Sequence, residues 1–242
     1  MDTLLKRWSI FAESLGLKRW ILVALFGGVL LPLAIFGGIA DEVRDGDDFK
    51  RDAIILNALH DRSNPTLDAI MVFITQLGRA WVLVPFCMAV VAFLLWKKLP
   101  RQAFFFTVAT FGAGLLNLLA KVFFGRARPD LWVSIAPEHD YSFPSGHAMA
   151  SMAVAAALVL LCWPTRFRWG MIAIGFIYVA AVGLTRPYLG VHYPSDIVGG
   201  WCASLAWVGG VHSIIYARQQ WMTRAERLKT AVTSANEDRA SL

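Results

Sequence analysis

Long uncharged apolar runs alternate with short polar clusters along this chain. Residues 20–40 contain no charge and lie between Lys18-Arg19 and Asp41-Glu42. A helix rises about 1.5 Å per residue, so about 20 apolar residues cross a hydrocarbon core of roughly 30 Å. The run therefore predicts a membrane-spanning helix. Five more follow at 81–96, 103–120, 147–163, 169–184 and 197–217, and together they predict an all-α integral membrane protein, a bundle of six transmembrane helices. Gly38-Ile39-Ala40 has the small-x-small form of a cleavage site. The apolar run ahead of it exceeds the roughly 7–15 residues of a signal peptide, so an uncleaved helix is expected.

Local signals refine this frame. Asn64-Pro65 reads as a helix cap followed by a first-turn proline. The apolar stretch 69–77 behind it predicts that the second span extends outward past Arg79. Phe49, Ala53, Leu56 and Leu59 recur near helical spacing, as in a short helix lying on the membrane surface or packed on the protein. Both placements remain open. Gly199-Gly200 and Gly209-Gly210 predict close packing of the sixth helix, and Trp207 is read as core filler.

Composition agrees: 57% of residues are hydrophobic, 17% are charged and mean hydropathy is +0.54. An ordinary soluble domain carries about 25% charged residues. Cys87, Cys162 and Cys202 all sit in apolar runs, where a thiol acts as a small hydrophobe, and no bridge or zinc motif is implied. A net charge of +6 could point to nucleic acid, but its distribution argues otherwise. The two termini and the loops 97–101 and 164–168 hold 14 of the 23 basic residues with five acidic ones, a net of +9 that leaves −3 elsewhere. Basic loops favour the cytoplasm. Both termini are thus expected in the cytoplasm, with 121–146 and 185–196 facing outward from the cell inner membrane. Tryptophans 20, 81, 96, 163, 169 and 201 fall near span ends, as an interfacial belt would. The expected organisation is a cytoplasmic segment 1–19, a membrane domain 20–217 with an outer loop 41–79 and a motif region 121–196, and a polar tail 218–242, disordered from Ser234.

Three polar clusters press against outward span ends, where ionisable groups are costly and usually functional. Lys121, Arg126, Arg128 and Pro129 follow the third span; Pro144, Ser145, Gly146 and His147 open the fourth; Thr185, Arg186, His192 and Asp196 lie between the fifth and sixth. Lys121, Arg128 and Arg186 have no equal number of carboxylates obviously committed to them. Guanidinium forks match phosphate oxygens two at a time, and lysine adds a point charge. Ser145 and Gly146 open a helix whose free N–H groups can receive an anion. His192 and Asp196 are four apart, so a carboxylate in the first turn of the sixth helix can fix one imidazole nitrogen and leave the other free to attack. His147 remains as proton donor. Phosphoryl transfer needs these roles: nucleophile, charge stabilisation and an acid for the leaving oxygen.

Other polar residues carry less. Asp130, Glu138 and Asp140 have no ligand spacing with histidine, and a cation-lined pocket needs no metal or other cofactor. His60 and His139 lie in outward loops without a placed partner, and His212 reads as packed or interfacial. Asn117 either orients Lys121 or bonds a neighbouring helix.

Lys121-x6-Arg128-Pro129, Pro144-Ser145-Gly146-His147 and Thr185-Arg186-x5-His192-x3-Asp196 resemble, in order, the three-part signature of the type 2 phosphatidic acid phosphatase superfamily, membrane lipid phosphatases related to vanadium haloperoxidases. The resemblance implies His192 as nucleophile forming a phosphohistidine, Asp196 as its orienting partner and His147 as general acid. It implies phosphate binding by Lys121, Arg128, Ser145, Gly146 and Arg186. Thr185 stands where the family usually has serine, and its hydroxyl is expected to keep the phosphate contact. Arg126 lies outside the pattern and either reaches the head group or is solvated. The expected partner is a membrane lipid phosphate within the bilayer, with no nucleic acid. An undecaprenyl-type polyprenyl pyrophosphate is favoured over phosphatidylglycerol phosphate, phosphatidic acid and lipid A 1-phosphate. A lipid phosphotransferase using the same pocket is the alternative enzyme. A transporter would place charges in mid-span, whereas these gather at the outer ends.

Overall fold

The computed structural model describes residues 22–23, 25–45 and 50–240; Trp20, Ile21 and Phe49 lie outside them. A π-helical turn, Phe26–Leu30, leads into α1 (Leu31–Asp45). There follow α2 (Lys50–His60), α3 (Pro65–Gln76), α4 (Ala80–Trp96), α5 (Pro100–Phe124), α6 (Gly146–Cys162), α7 (Arg168–Tyr188) and α8 (Pro194–Ala240), with no strand among the described residues. Four helical stretches are long and apolar enough to cross a membrane: Phe26–Asp45, α5, α7 and Pro194–Ile215 of α8. The pair α3 and α4 together makes a broken fifth, and α6 is a shorter apolar helix.

Helix ends follow local chemistry. Asn64 caps α3 by accepting the Leu67 N–H at 3.0 Å, and Pro65 takes the first position, as its sequence predicts. The expected continuous extension of the second span is replaced by a 41° bend between α3 and α4. Gly78 lies in the break: a Cβ there would come within 2.7 Å of Val182 and 2.9 Å of His147, so the interruption lets α7 and the His147 ring approach the backbone. At Gly125, φ of 58° ends α5 in the left-handed region that glycine adopts without strain.

Several boundaries move in a way that matters. α5 runs on to Phe124 and α7 to Tyr188, so Lys121, Thr185 and Arg186 lie inside last helical turns and not beyond them. α8 continues to Ala240 in place of the expected disorder from Ser234. No glycine or proline follows Gly210, and Ala, Arg, Glu, Lys and Leu are strong helix formers.

α6 sits at the centre, against α5, α7 and α8. Its buried Ala148, Ala153, Ala155 and Ala157 let neighbouring backbones come close. Trp207 fills space beside Gly112, and its indole N–H donates to Val108 and Ala109 carbonyls at 3.3 and 3.2 Å. Gly199 lies under the Phe143 ring, Gly200 against the Ser145 carbonyl and Gly209 against the Gly28 backbone. A Cβ at Gly210 would meet nothing within 4 Å, so only one glycine of that second pair serves packing. α2 packs on α7 and α8 with Leu56 fully buried, which decides for the protein-packed placement. Exposed Phe111, Val122 and Phe176 form outward apolar faces suited to lipid.

Candidate active site

The three polar clusters meet at one end of this bundle. Lys121, in the last turn of α5, is buried, and the irregular segment 125–145 returns from there to α6. Ser142 N–H donates to the Arg126 carbonyl at 2.8 Å and closes that return. Ser145 caps α6 by accepting the Ala148 N–H at 3.5 Å, while its own N–H donates to the Asp196 carbonyl at 3.2 Å. Asn117 bonds the Pro144 carbonyl at 2.9 Å and Met149 sulfur at 3.2 Å, so it holds the Pro-Ser-Gly-His turn. Gly146 fits against it: a Cβ would stand 3.1 Å from the Asn117 oxygen.

His192 follows Gly190, whose φ of 69° and closeness to the Trp132 ring (2.7 Å from a built Cβ) require glycine. The fully buried imidazole places Nδ1 3.3 Å from Asp196 Oδ2. That oxygen also accepts the Tyr193 N–H at 2.9 Å and the Ser142 hydroxyl at 2.5 Å. Asp196 Oδ1 takes Arg126 Nη1 at 2.5 Å. Arg126 further reaches Ser195 Oγ at 2.9 Å and Asp52 of α2 at 3.5 Å, which overturns its reading as a head-group or solvated residue. Burial pushes the His192 pKa down to about 4; Asp196 opposes the shift, and Arg186 and Arg128 add to it. The ring is thus neutral at neutral pH, with Nε2 turned away from Asp196 and toward Arg128 Nη1 at 3.1 Å.

The cations are not short of carboxylates. Lys121 Nζ pairs with Asp140 at 2.8 Å and donates to the Tyr141 carbonyl. Arg128 donates to the Asp140 and Val191 carbonyls at 2.7 and 2.6 Å, and its Nη2 pairs with Asp140 and, at 3.0 Å, with Glu138 Oε2. Arg186, fully buried, donates to Thr75 Oγ1 at 2.7 Å and pairs with Glu138 Oε1. Glu138 also lies 3.9 Å from His147 Nδ1 and 3.9 Å from His192 Nε2. Burial alone would raise the Glu138 pKa, but Arg186, the two histidines and Arg128 outweigh it and hold it at about 2. Asp140 is held at about 2 in the same way, by Lys121 and Arg128 against burial.

The eight residues expected from sequence, Lys121, Arg128, Ser145, Gly146, His147, Arg186, His192 and Asp196, thus gather in one place. Thr185 departs from expectation: its hydroxyl donates back to the Val182 carbonyl at 2.6 Å, a bond helical threonine makes readily. His60 stacks on Trp132 with centroids 4.1 Å apart, and His212 meets Phe105 edge-on at 5.6 Å. Sequence reasoning passed over Ser142, Thr75 and Asp52 and discounted Glu138. The available signal was slight: Thr75 is a hydroxyl residue within the apolar stretch 69–77, and Asp52, Glu138 and Ser142 lie in polar segments where such residues are ordinary.

This geometry has counterparts. The PAP2 superfamily profile matches residues 102–220. An undecaprenyl-diphosphatase of Sulfolobus acidocaldarius is 31% identical over 188 residues, covering 75% of this chain and 84% of the relative. A lipid A 1-phosphatase of Rhizobium etli is 37% identical over 48% of this chain and 50% of its own length. Phosphatidylglycerophosphatase B of Bacillus subtilis is 28% identical over 58% and 71%. The crystal structure of a transmembrane PAP2-type phosphatidylglycerolphosphate phosphatase from Bacillus subtilis shares the fold, with a TM-score of 0.68 and 24% identity over 76% of this chain and 94% of that one. Apolar helices, the three-part signature and these relatives lead to one conclusion: this chain is a multi-pass membrane enzyme that belongs to the PAP2 superfamily of lipid phosphatases.

Proposed function

We propose that the protein hydrolyses the terminal phosphate of a membrane lipid, with an undecaprenyl-type polyprenyl pyrophosphate as the favoured substrate, through a phosphohistidine on His192. The carrying observation is the position of the Glu138 carboxylate, 3.9 Å from both His192 Nε2 and His147 Nδ1 and paired with Arg128 and Arg186. An anion fits between a nucleophile and an acid. Lys121, Arg128, Arg186, the Ser145 hydroxyl and the Gly146 N–H would hold phosphoryl oxygens as charge develops, the Ser145 N–H being spent on the Asp196 carbonyl. Nε2 attacks phosphorus as the bond to the leaving oxygen breaks, and protonated His147 gives that oxygen its proton from Nδ1. Asp196 stabilises the positive charge on the phosphorylated ring. Water then attacks phosphorus, His147 takes its proton, phosphate leaves and both histidines return to their starting states.

The placement of the site follows the charge pattern: six spans, α3 and α4 counted as one and α6 as another, put both termini in the cytoplasm and the pocket at the outer face of the inner membrane. The named activity of the Sulfolobus relative supports the polyprenyl choice. The named activities of the Rhizobium and Bacillus relatives make lipid A 1-phosphate and phosphatidylglycerol phosphate the competitors. Phosphate release from purified lipids decides among them. The expected result is the highest kcat/KM for polyprenyl pyrophosphate. A higher value for another lipid overturns the substrate, and release from none overturns the function.

A further inference from the structure

Both carboxylates that neutralise the three phosphate-seat cations come from one short segment, Glu138 and Asp140. Their positions differ. Asp140 lies at the rim, with its side chain 58% exposed, whereas the Glu138 side chain is 20% exposed and reaches inward to the histidines. Its two oxygens divide between Arg186 and Arg128, as two oxygens of a phosphoryl group would. A phosphorus attacked by His192 Nε2 and relieved of its leaving group through His147 Nδ1 must lie between those nitrogens, where the carboxylate now sits. Two anions cannot share that place, because each would lose its cation partners and face like charge.

We propose that Glu138 is a specificity-determining residue, an internal competitor that holds the phosphate seat and yields only to a dianionic, doubly coordinating phosphoryl group; this rests on the functional reading above. Without a lipid bound, its carboxylate keeps the buried Arg186 guanidinium paired, which an empty seat would leave as a costly uncompensated charge. The surrounding chain permits exchange. Ser134 Oγ donates to the Leu189 carbonyl at 2.6 Å and Ser142 N–H to the Arg126 carbonyl at 2.8 Å, so the irregular stretch between is tied at both ends while Glu138 borders solvent. A terminal phosphate or pyrophosphate brings two or more charged oxygens and replaces both ion pairs. A phosphodiester head group carries one charge and replaces them poorly. The carboxylate thereby protects the pocket from the phosphodiester lipids that make up a bilayer. Apparent affinity is reduced by the fraction of seats the carboxylate holds, and a singly charged head group, weaker to begin with, is thereby kept below the level at which it fills the seat.

Glu138→Gln keeps the shape and removes the charge. In the purified full-length protein, KM for the lipid phosphate and the inhibition constant for vanadate are expected to fall together by about tenfold. Inhibition by phosphatidylglycerol in mixed micelles should strengthen at the same time. Glu138→Asp serves as a second variant: its shorter side chain keeps the charge but cannot span both arginines, and the same shifts are expected at smaller size. A residue that merely supports the fold would raise KM or lower kcat without tightening vanadate. Unchanged or weaker vanadate inhibition in both variants, with the unaltered protein still releasing phosphate, overturns the competitor role and leaves the phosphatase reading standing. An unaltered protein that neither releases phosphate nor responds to vanadate overturns both.

Discussion

Two halves of the same pocket are built in opposite ways. The His192–Asp196 half is fully buried, and Asp196 receives hydrogen bonds from Ser142, Tyr193 and Arg126, all on elements tied to α6 and α8. The seat half is a set of ion pairs that join Lys121 and Arg186, in last helical turns, and Arg128, in the irregular segment, to Glu138 and Asp140 of that same solvent-bordering segment. The first arrangement resists change because each removed partner leaves a buried charge or an unmade hydrogen bond. The second can exchange one anion for another at little structural cost. In the proposed mechanism, chemistry falls to the fixed half and selection to the exchangeable one.

The strongest test of that contrast is removal of the proposed nucleophile. His192→Ala should lower kcat/KM by about 10⁴-fold or more while the helical content stays close to the original and the thermal transition falls only by what the loss of one buried side chain costs. Substantial residual turnover would remove His192 from its role. Asp196→Asn comes next: the ring remains, but its tautomer and orientation are no longer imposed, and a loss of about 10²–10⁴-fold is expected. A loss confined to KM would mean that Asp196 serves the seat and not the dyad.

Acid tests both halves together, with separate readouts. The neutral His192 ring is the proposed nucleophile, and its pKa is lowered from 6.5 to about 4. The attacking form of His192 is therefore lost as pH falls through that value, so the acid limb of kcat/KM, which reports the free enzyme, should lie near pH 4. An acid limb near 6.5 breaks the assignment. Stability carries the same sign: His192 and Glu138, the latter lowered from 4.5 to about 2, each bind fewer protons folded than unfolded. Their contribution is complete above about pH 6.5 and is lost as pH falls toward 2, which a series of thermal melts would follow.

Much of this was legible in the sequence, and the failures share a cause. The spacing of His192 and Asp196, the cap at Ser145 and the cations Lys121, Arg128 and Arg186 are local features, readable from periodicity and residue chemistry. The side chains of Ser142, Thr75 and Asp52 act through partners 50 or more residues away, as in the 111 positions between Thr75 and Arg186, and Glu138 joins Arg186 across 48 positions. No periodicity encodes such pairings. The break at Gly78 was missed for a related reason: an apolar run looks continuous whether or not a histidine from another helix needs room beside it. Thr185 failed locally, because a helix that extends one turn further offers its hydroxyl a backbone acceptor.

The smallest expected effect reaches the fixed half from outside. Asp52 is buried on α2, accepts the Ser195 N–H at 3.2 Å and the Ser195 hydroxyl, and pairs with Arg126 at 3.5 Å. Burial raises its pKa against the opposing pull of Ser195 and Arg126, so the structure keeps a carboxylate there at some cost. Its return is positional: Arg126, stacked over the Tyr193 ring at 4.1 Å, is held between Asp52 and Asp196 and fixes Asp196 Oδ1, leaving Oδ2 for His192. Asp52→Asn keeps the volume and one acceptor but loses the charge, which is worth about 1.5 kcal/mol for a hydrogen bond to a charged group, or roughly tenfold in rate. kcat should fall by about that factor with KM little changed, because Asp52 touches nothing in the seat. A shift in KM instead would place α2 on the exchangeable side of the pocket, and an unchanged kcat would show that Asp196 is oriented well enough by Ser142 and the Tyr193 N–H alone.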